Sequence, residues 1–109
     1  MQYIEKIEDK EYFITEINTS KCKGKQGLIE EFSIAFSIYS IVPNLDALND
    51  FLTGLEWIEQ KNYKLILKNM NKVEKSRDDY DELFSLIKYL EEHWQREENN
   101  FIVEYVSHS

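Results

Sequence analysis

The sequence predicts an α/β fold in which helices pack on a small three-stranded, mainly parallel sheet. Two segments rich in aromatic and β-branched residues and one with a continuous apolar trio alternate with segments of helical periodicity, in the order strand, helix, helix, strand, helix, strand. Strands separated by helices need crossover connections, which place the strands parallel with right-handed crossovers. We therefore expect helices to cover at least one face of this sheet.

The first strand is predicted at residues 11–19, EYFITEINT. The preceding residues 1–10 are open between a short strand, a helical turn and a mobile end. A first helix follows, and Pro43 ends its run. One face of that helix is predicted to carry the apolar residues Leu28, Phe32, Ala35, Phe36 and Tyr39.

A second helix begins directly after Asn44, whose side chain can cap it, and Gly54 marks its end. Its apolar stripe consists of Leu45, Leu48, Phe51, Leu52 and Leu55. The next strand is predicted at residues 64–70, KLILKNM. The apolar trio at its centre suits a short strand that is covered on both faces.

The longest helix opens at residues 76–79, which have the spacing of a capping box with Asp in place of Glu. Its predicted core face consists of Leu83, Ile87, Leu90 and Trp94. Residues 101–106, FIVEYV, form the most strand-like segment of the chain. Together these elements predict a single domain over residues 1–109.

The composition agrees with one soluble domain. The chain has 109 residues, 42% of them hydrophobic, which is enough for one core. No apolar run reaches the roughly 18 residues of a membrane span, and the start of the chain lacks the apolar run of a signal peptide. Cys22 stands alone, so we expect no internal disulfide, no membrane association and a reducing, cytoplasmic setting.

The sequence contains no recognisable catalytic motif. A phosphate-binding glycine loop, a paired metal-ligand motif and a nucleophile elbow are all missing, and His93 and His108 are far apart along the chain. We therefore predict no catalytic residues, no metal site and no cofactor. The chain is not expected to be an enzyme.

The charge favours a basic partner. The chain has 21 acidic and 13 basic residues, a net charge of -8, which repels the nucleic-acid backbone. A basic run extends from Lys61 to Arg77, and we interpret its lysines as edge and loop charges that keep a short strand soluble. RNA binding through this run is the competing hypothesis, and we expect no nucleic-acid partner.

The second helix carries an unbalanced acidic face. Residues 43–60 contain four acidic residues and no basic one. On a helical wheel Asp46 and Asp50 are neighbours and share the polar half with Asn49 and Thr53. Asp46 lies in the first turn, where the helix dipole favours an acid, but Asp50 lies beyond it. Partner binding and simple solvation both remain open for these aspartates.

Residues 44–54 read N-L-D-A-L-x-D-x-L-T-G and resemble the second-helix motif of the barstar family, small acidic inhibitors of bacterial ribonucleases. The resemblance extends over most of residues 11–106. It implies a three-stranded parallel sheet, and inhibition by insertion of the second helix and the preceding loop into the active site of a basic ribonuclease. In that scheme Asp50 takes the place of a substrate phosphate and Asp46 supports it. The partner-binding residues it implies are Asn44, Asp46, Asn49, Asp50, Thr53 and Gly54.

The sequence departs from the family pattern at two places. The family's typical inhibitor has Tyr-Tyr-Gly-Glu where residues 40–43 read Ser-Ile-Val-Pro, and Trp where Asn49 stands. The aromatic part of the contact is therefore predicted to be missing, which points to a different nuclease. We expect an inhibitor or immunity protein of a basic ribonuclease, either a cellular enzyme or a toxin of intercellular competition, and a chain that is monomeric when free. The alternative is an acidic adaptor domain that binds through the same helix or through the corner formed by Trp57 and Ile58.

Overall fold

The computed structural model describes residues 2–70, 77–97 and 99–106, and for residues 77–80 only the backbone. A short 3-10 helix lies at Thr19–Lys21. The main elements, in chain order, are β1 (Gln2–Ile7), β2 (Lys10–Asn18), α1 (Gly24–Ala35), α2 (Leu45–Leu52), β3 (Asn62–Lys68), α3 (Arg77–Arg96) and β4 (Phe101–Val106). The predicted order from β2 to β4 is confirmed, and β1 is added to it.

The sheet has four strands in the order β1-β2-β3-β4. The pairs β2–β3 and β3–β4 are parallel, as predicted, and β1 pairs antiparallel with β2. The prediction of three strands is therefore one strand short. Glu8 and Asp9 form the two-residue turn between β1 and β2, both with positive φ (50° and 68°), as a type I′ turn requires. Asn-Gly is the usual sequence for this turn, so the hairpin gave no recognisable signal.

Strand β1 is hydrogen-bonded to the end of α1. The Nε2 atom of Gln2 donates to the carbonyl oxygens of Ile34 (2.8 Å) and Ala35 (2.7 Å). The hydroxyl of Thr15 on β2 donates to the same oxygen of Ala35 at 2.8 Å, and the hydroxyl of Ser37 donates to Oε1 of Gln2 at 3.0 Å. The last carbonyls of a helix have no partner within the helix. Side chains of the sheet therefore cap α1 and hold the start of the loop that leads to α2.

Replacing Gln2 with alanine is expected to lower the free energy of unfolding by about 1–2 kcal/mol, because the carbonyl of Ile34 loses its side-chain donor and the bond to Ser37 is lost. Urea unfolding measures this change. Lys6→Ala is the matched control, because Lys6 is an exposed residue of the same strand. An equal loss in both variants would show that strand pairing, and not the cap, is responsible.

Helix α1 ends earlier than predicted. Ser37 has a φ of 57°, and the backbone N–H of Ile38 donates to the carbonyl of Ser33 at 2.8 Å, while that of Ser37 donates to Ile34 at 3.3 Å. These bonds form a Schellman motif, which usually has glycine in the left-handed position. A serine there left no stop signal in the sequence. The prediction that Tyr39 lies on the core face of α1 is wrong, because its side chain is 94% exposed.

The helices cover one face of the sheet, where the main core lies. The predicted core residues of α3 are all buried, namely Leu83, Ile87, Leu90 and Trp94. The Trp94 ring lies 5.0 Å from the ring of Tyr63 on β3, and burial raises the pKa of the Tyr63 phenol above its usual value. The capping box predicted at residues 76–79 starts outside the described residues.

The opposite face of the sheet has a small apolar cluster of Tyr12, Ile14 and Ile66. Ile66 is the middle residue of the predicted apolar trio, and all three members, Leu65, Ile66 and Leu67, are buried. Two ion pairs lie on the same face, each with an N–O distance of 3.3 Å, namely Lys64–Glu104 and Lys68–Glu16. These two lysines of the basic run are therefore engaged with carboxylates across neighbouring strands.

Candidate functional site

Helix α2 is fixed at its start by Asn44. The Oδ1 atom of Asn44 accepts a hydrogen bond from the backbone N–H of Ala47 at 2.8 Å, which confirms the predicted cap. Leu48 and Leu52 are fully buried and anchor the inner face of the helix in the core. The outer face is thereby held in one orientation towards solvent.

Asp46 and Asp50 are both exposed on that outer face, as predicted. Neither carboxylate has an ion-pair partner among the side chains that the structure describes, those of residues 2–70, 81–97 and 99–106. Asp46 faces a cleft between three helices, which Lys25 of α1 and Glu82 of α3 also line. Lys25 adjoins Asp81 as well. Among the described residues that line these two clefts, the three acids outnumber the one lysine, and Asp81 and Glu82 of α3 add negative charge beside α2.

Asn49 is less accessible than the wheel predicts. It is half-buried, and its Oδ1 atom is buried without a hydrogen-bond partner in the part of the chain that the structure describes. A buried acceptor without a partner has a desolvation cost of about 1–3 kcal/mol. Asn49 therefore lies at the border between the core and the acidic face.

Thr53 and Gly54 form the end of α2. The hydroxyl of Thr53 lies 2.8 Å from the carbonyl oxygen of Asn49 and 3.2 Å from that of Asp50, so it donates to the helix end. Gly54 is exposed, and a Cβ atom there would make only ordinary contacts, the nearest at 3.6 Å to the carbonyl oxygen of Asp50. The left-handed residue of this turn is Leu55 (φ 51°), whose side chain is fully buried.

An aromatic groove adjoins the acidic face, and sequence reasoning missed it. It has a volume of about 400 Å³ and is lined by Ser37, Ile38, Tyr39, Ser40, Phe51 and Trp57. The Trp57 ring is 44% exposed and is held by a 2.8 Å hydrogen bond from Nε1 to the carbonyl of Phe36. Its edge-to-face contact with Phe51 has a centroid distance of 6.1 Å. Of the corner proposed for an adaptor, only Trp57 is exposed, because Ile58 is buried.

Comparison with protein-family models gives a match to this chain. The family model described as Barstar (barnase inhibitor) matches residues 12–106. The chain belongs to the barstar family. No curated protein and no solved structure gives a significant match. The family is one of ribonuclease inhibitors, and the matched region of this barstar-family chain contains α2 and the aromatic groove but not β1.

The described residues also bear on metal binding and on membrane crossing. Within the described ranges, no group of three or more His, Cys, Asp or Glu side chains could hold a metal ion. The same ranges contain no helix with both the length and the apolar character to cross a membrane. His93 is half-buried with its ring edge-on to Trp94 at 4.7 Å, and His108 lies outside the described residues.

Replacing Asn44 with alanine is expected to destabilise this barstar-family chain by about 1 kcal/mol, because the backbone N–H of Ala47 loses its acceptor. Thermal unfolding of Asn44→Ala and Asn44→Ser measures the effect. Serine can accept the same bond, so Asn44→Ser should stay within a few tenths of a kcal/mol of the original. Equal destabilisation by both substitutions would contradict the capping role.

Proposed function

We propose that this protein inhibits a basic bacterial ribonuclease, as an immunity protein against a nuclease toxin, by placing α2 in the nuclease active site. The observation that carries this proposal is the pair of exposed carboxylates, Asp46 and Asp50. Neither has an ion-pair partner among the described residues, and both lie on a helix anchored in the core. Membership of a family of ribonuclease inhibitors supports it.

The charges suit such a target. A ribonuclease needs cations where it binds the RNA phosphates, and unpaired carboxylates on a fixed helix complement those cations with little ordering cost. In this proposal Asp50 occupies the position of a phosphate and Asp46 supports it. Asp81 and Glu82 extend the negative field, which steers the approach of a basic protein.

The remaining residues of the predicted site have supporting roles in the proposal. Asn44 and Thr53 fix the two ends of α2, and Gly54 leaves the backbone open to close approach. Asn49 lies at the margin of the contact. Inhibition then rests on steric and electrostatic blockade without catalysis, metal or cofactor, by a chain that is monomeric and cytoplasmic when free.

Capture from the native lysate tests the proposal. Wild-type protein, Asp50→Ala and Asp81→Ala serve as parallel baits, and the captured nuclease is then assayed for RNA cleavage with increasing inhibitor. We expect a basic nuclease on the wild-type and Asp81→Ala baits, its loss from the Asp50→Ala bait, and inhibition that is complete at one inhibitor per enzyme. Equal capture by all three baits, or capture without inhibition, would overturn the proposal.

The second candidate is an acidic adaptor domain. The exposed side chains of Tyr39, Ile41 and Trp57 next to α2 favour it, because such apolar groups are common in protein interfaces. The salt dependence of partner binding separates the two functions. Exposed charges are screened by salt, so binding by an inhibitor should weaken strongly with ionic strength, and binding by an apolar adaptor should not.

A further inference from the structure

We propose that the aromatic groove binds an arginine side chain of the partner, next to the acidic face of α2. That the partner is a basic nuclease rests on the proposed function. The preference for a guanidinium group rests on the groove itself.

The walls of the groove suit a planar cation. The Trp57 ring is fixed from two sides, by the hydrogen bond from Nε1 to the Phe36 carbonyl at 2.8 Å and by its contact with Phe51. The Tyr39 ring is almost entirely exposed at another wall and is free to stack. A guanidinium group stacks on aromatic faces and is weakly hydrated, whereas the ammonium group of lysine is compact and strongly hydrated.

The charges around the groove select a cation. No basic residue lies between Lys25 and Lys61, a stretch that contains the whole groove and α2. Asp50 directly precedes Phe51 and Glu56 directly precedes Trp57 in the sequence, and both acids are exposed, so each of these two lining residues has an acidic neighbour along the chain. Neither acid has an ion-pair partner among the described residues. A stacked guanidinium keeps its N–H donors free for such carboxylates.

The groove has the size and the rigidity for one long side chain. Its volume of about 400 Å³ is more than enough to admit one arginine side chain. The wall at residues 37–40 follows the Schellman turn of α1, and Gln2 binds that turn through Ser37. An uncharged aliphatic side chain would contact the aromatic walls but gain nothing from the acidic residues of this segment, which favours arginine as the occupant.

Two peptides of equal charge, hexa-arginine and hexa-lysine, test the inference without any nuclease. Nuclear magnetic resonance follows the backbone amides and the Trp57 indole N–H during titration at fixed salt. We expect hexa-arginine to bind about threefold to fivefold more tightly, with the largest shifts at groove residues. Tyr39→Ser should remove most of this preference, because it removes a stacking wall. Ile41→Ser is the matched control, since Ile41 is 91% exposed in the same loop and does not line the groove.

Equal affinities for the two peptides, or a preference that survives unchanged in Tyr39→Ser, would overturn the inference. The outcome is separable from the proposed function. A nuclease captured through Asp50 by a protein without arginine preference would leave the inhibitor function intact and reject the groove. An arginine preference in a protein that captures no nuclease would support the groove and reject the inhibitor function.

Discussion

Replacing Asp50 with alanine should weaken binding of the captured nuclease by about a hundredfold to a few thousandfold. In the free chain the Asp50 carboxylate is exposed, with no ion-pair partner among the described residues. In the proposed complex it is buried against a cation. Removing one partner of a buried ion pair leaves the other charge uncompensated, at a cost of about 3–5 kcal/mol. Titration of nuclease activity with inhibitor at fixed ionic strength measures this loss.

Two controls are needed. One distinguishes the charge of the Asp50 side chain from its shape, and the other distinguishes the centre of the proposed interface from its rim. Asp50→Asn keeps the shape and removes the charge, so it should lose nearly as much affinity as Asp50→Ala. Asp81 is exposed at the rim, and Asp81→Ala should cost less than about fivefold because exposed pairs contribute about 0–1 kcal/mol. Similar losses in Asp50→Ala and Asp81→Ala would show that only the general field matters.

Replacing Trp94 with alanine should lower the free energy of unfolding by about 3–5 kcal/mol, a large share of the roughly 5–15 kcal/mol of a typical domain. Trp94 is 4% exposed, packs against Tyr63, and joins α3 to the sheet. The substitution leaves a cavity between them. Urea unfolding measures the change through tyrosine fluorescence and circular dichroism.

Trp94→Phe is the matched variant. The indole Nε1 of Trp94 is buried without a hydrogen-bond partner in the described part of the chain, so removing that N–H sacrifices no bond. Phenylalanine keeps most of the ring contact and should retain well over half of the stability that alanine loses. If phenylalanine were as damaging as alanine, the indole N–H would have to be bonded in solution.

The elements with strong periodicity could be predicted from the sequence, and the turns could not. The repeat from Leu83 to Trp94 and the trio around Ile66 define their buried faces directly. The end of α1 and the presence of β1 depend on left-handed residues at Ser37, Glu8 and Asp9, where glycine or asparagine is usual. Ser37, Glu8 and Asp9 are not the residues that usually indicate a left-handed backbone, so the sequence contains no signal for these two turns.

The exposure of the candidate site residues was predictable in part. Spacing along one helix places Asp46 and Asp50 together towards solvent, and the structure agrees. The half-burial of Asn49 depends on which residues pack beside α2. A helical wheel gives no information about neighbouring elements. The groove brings together Tyr39 and Trp57 from segments on either side of α2, so only the tertiary fold could show it.

Strand β1 and the turn after it precede the matched family region, and the length of this turn fixes how β1 aligns with β2. Two residues in its turn set the pairing of Gln2 with Thr15, and both side chains reach the end of α1. Successive side chains of a strand point to opposite faces, so a slip of one residue would turn Gln2 away from α1. Insertion of one residue into this turn would therefore change the hydrogen bonds that hold the start of the Tyr39 loop, although no residue of that loop would differ. On the proposed role of the aromatic groove, a length change in this turn would alter partner choice.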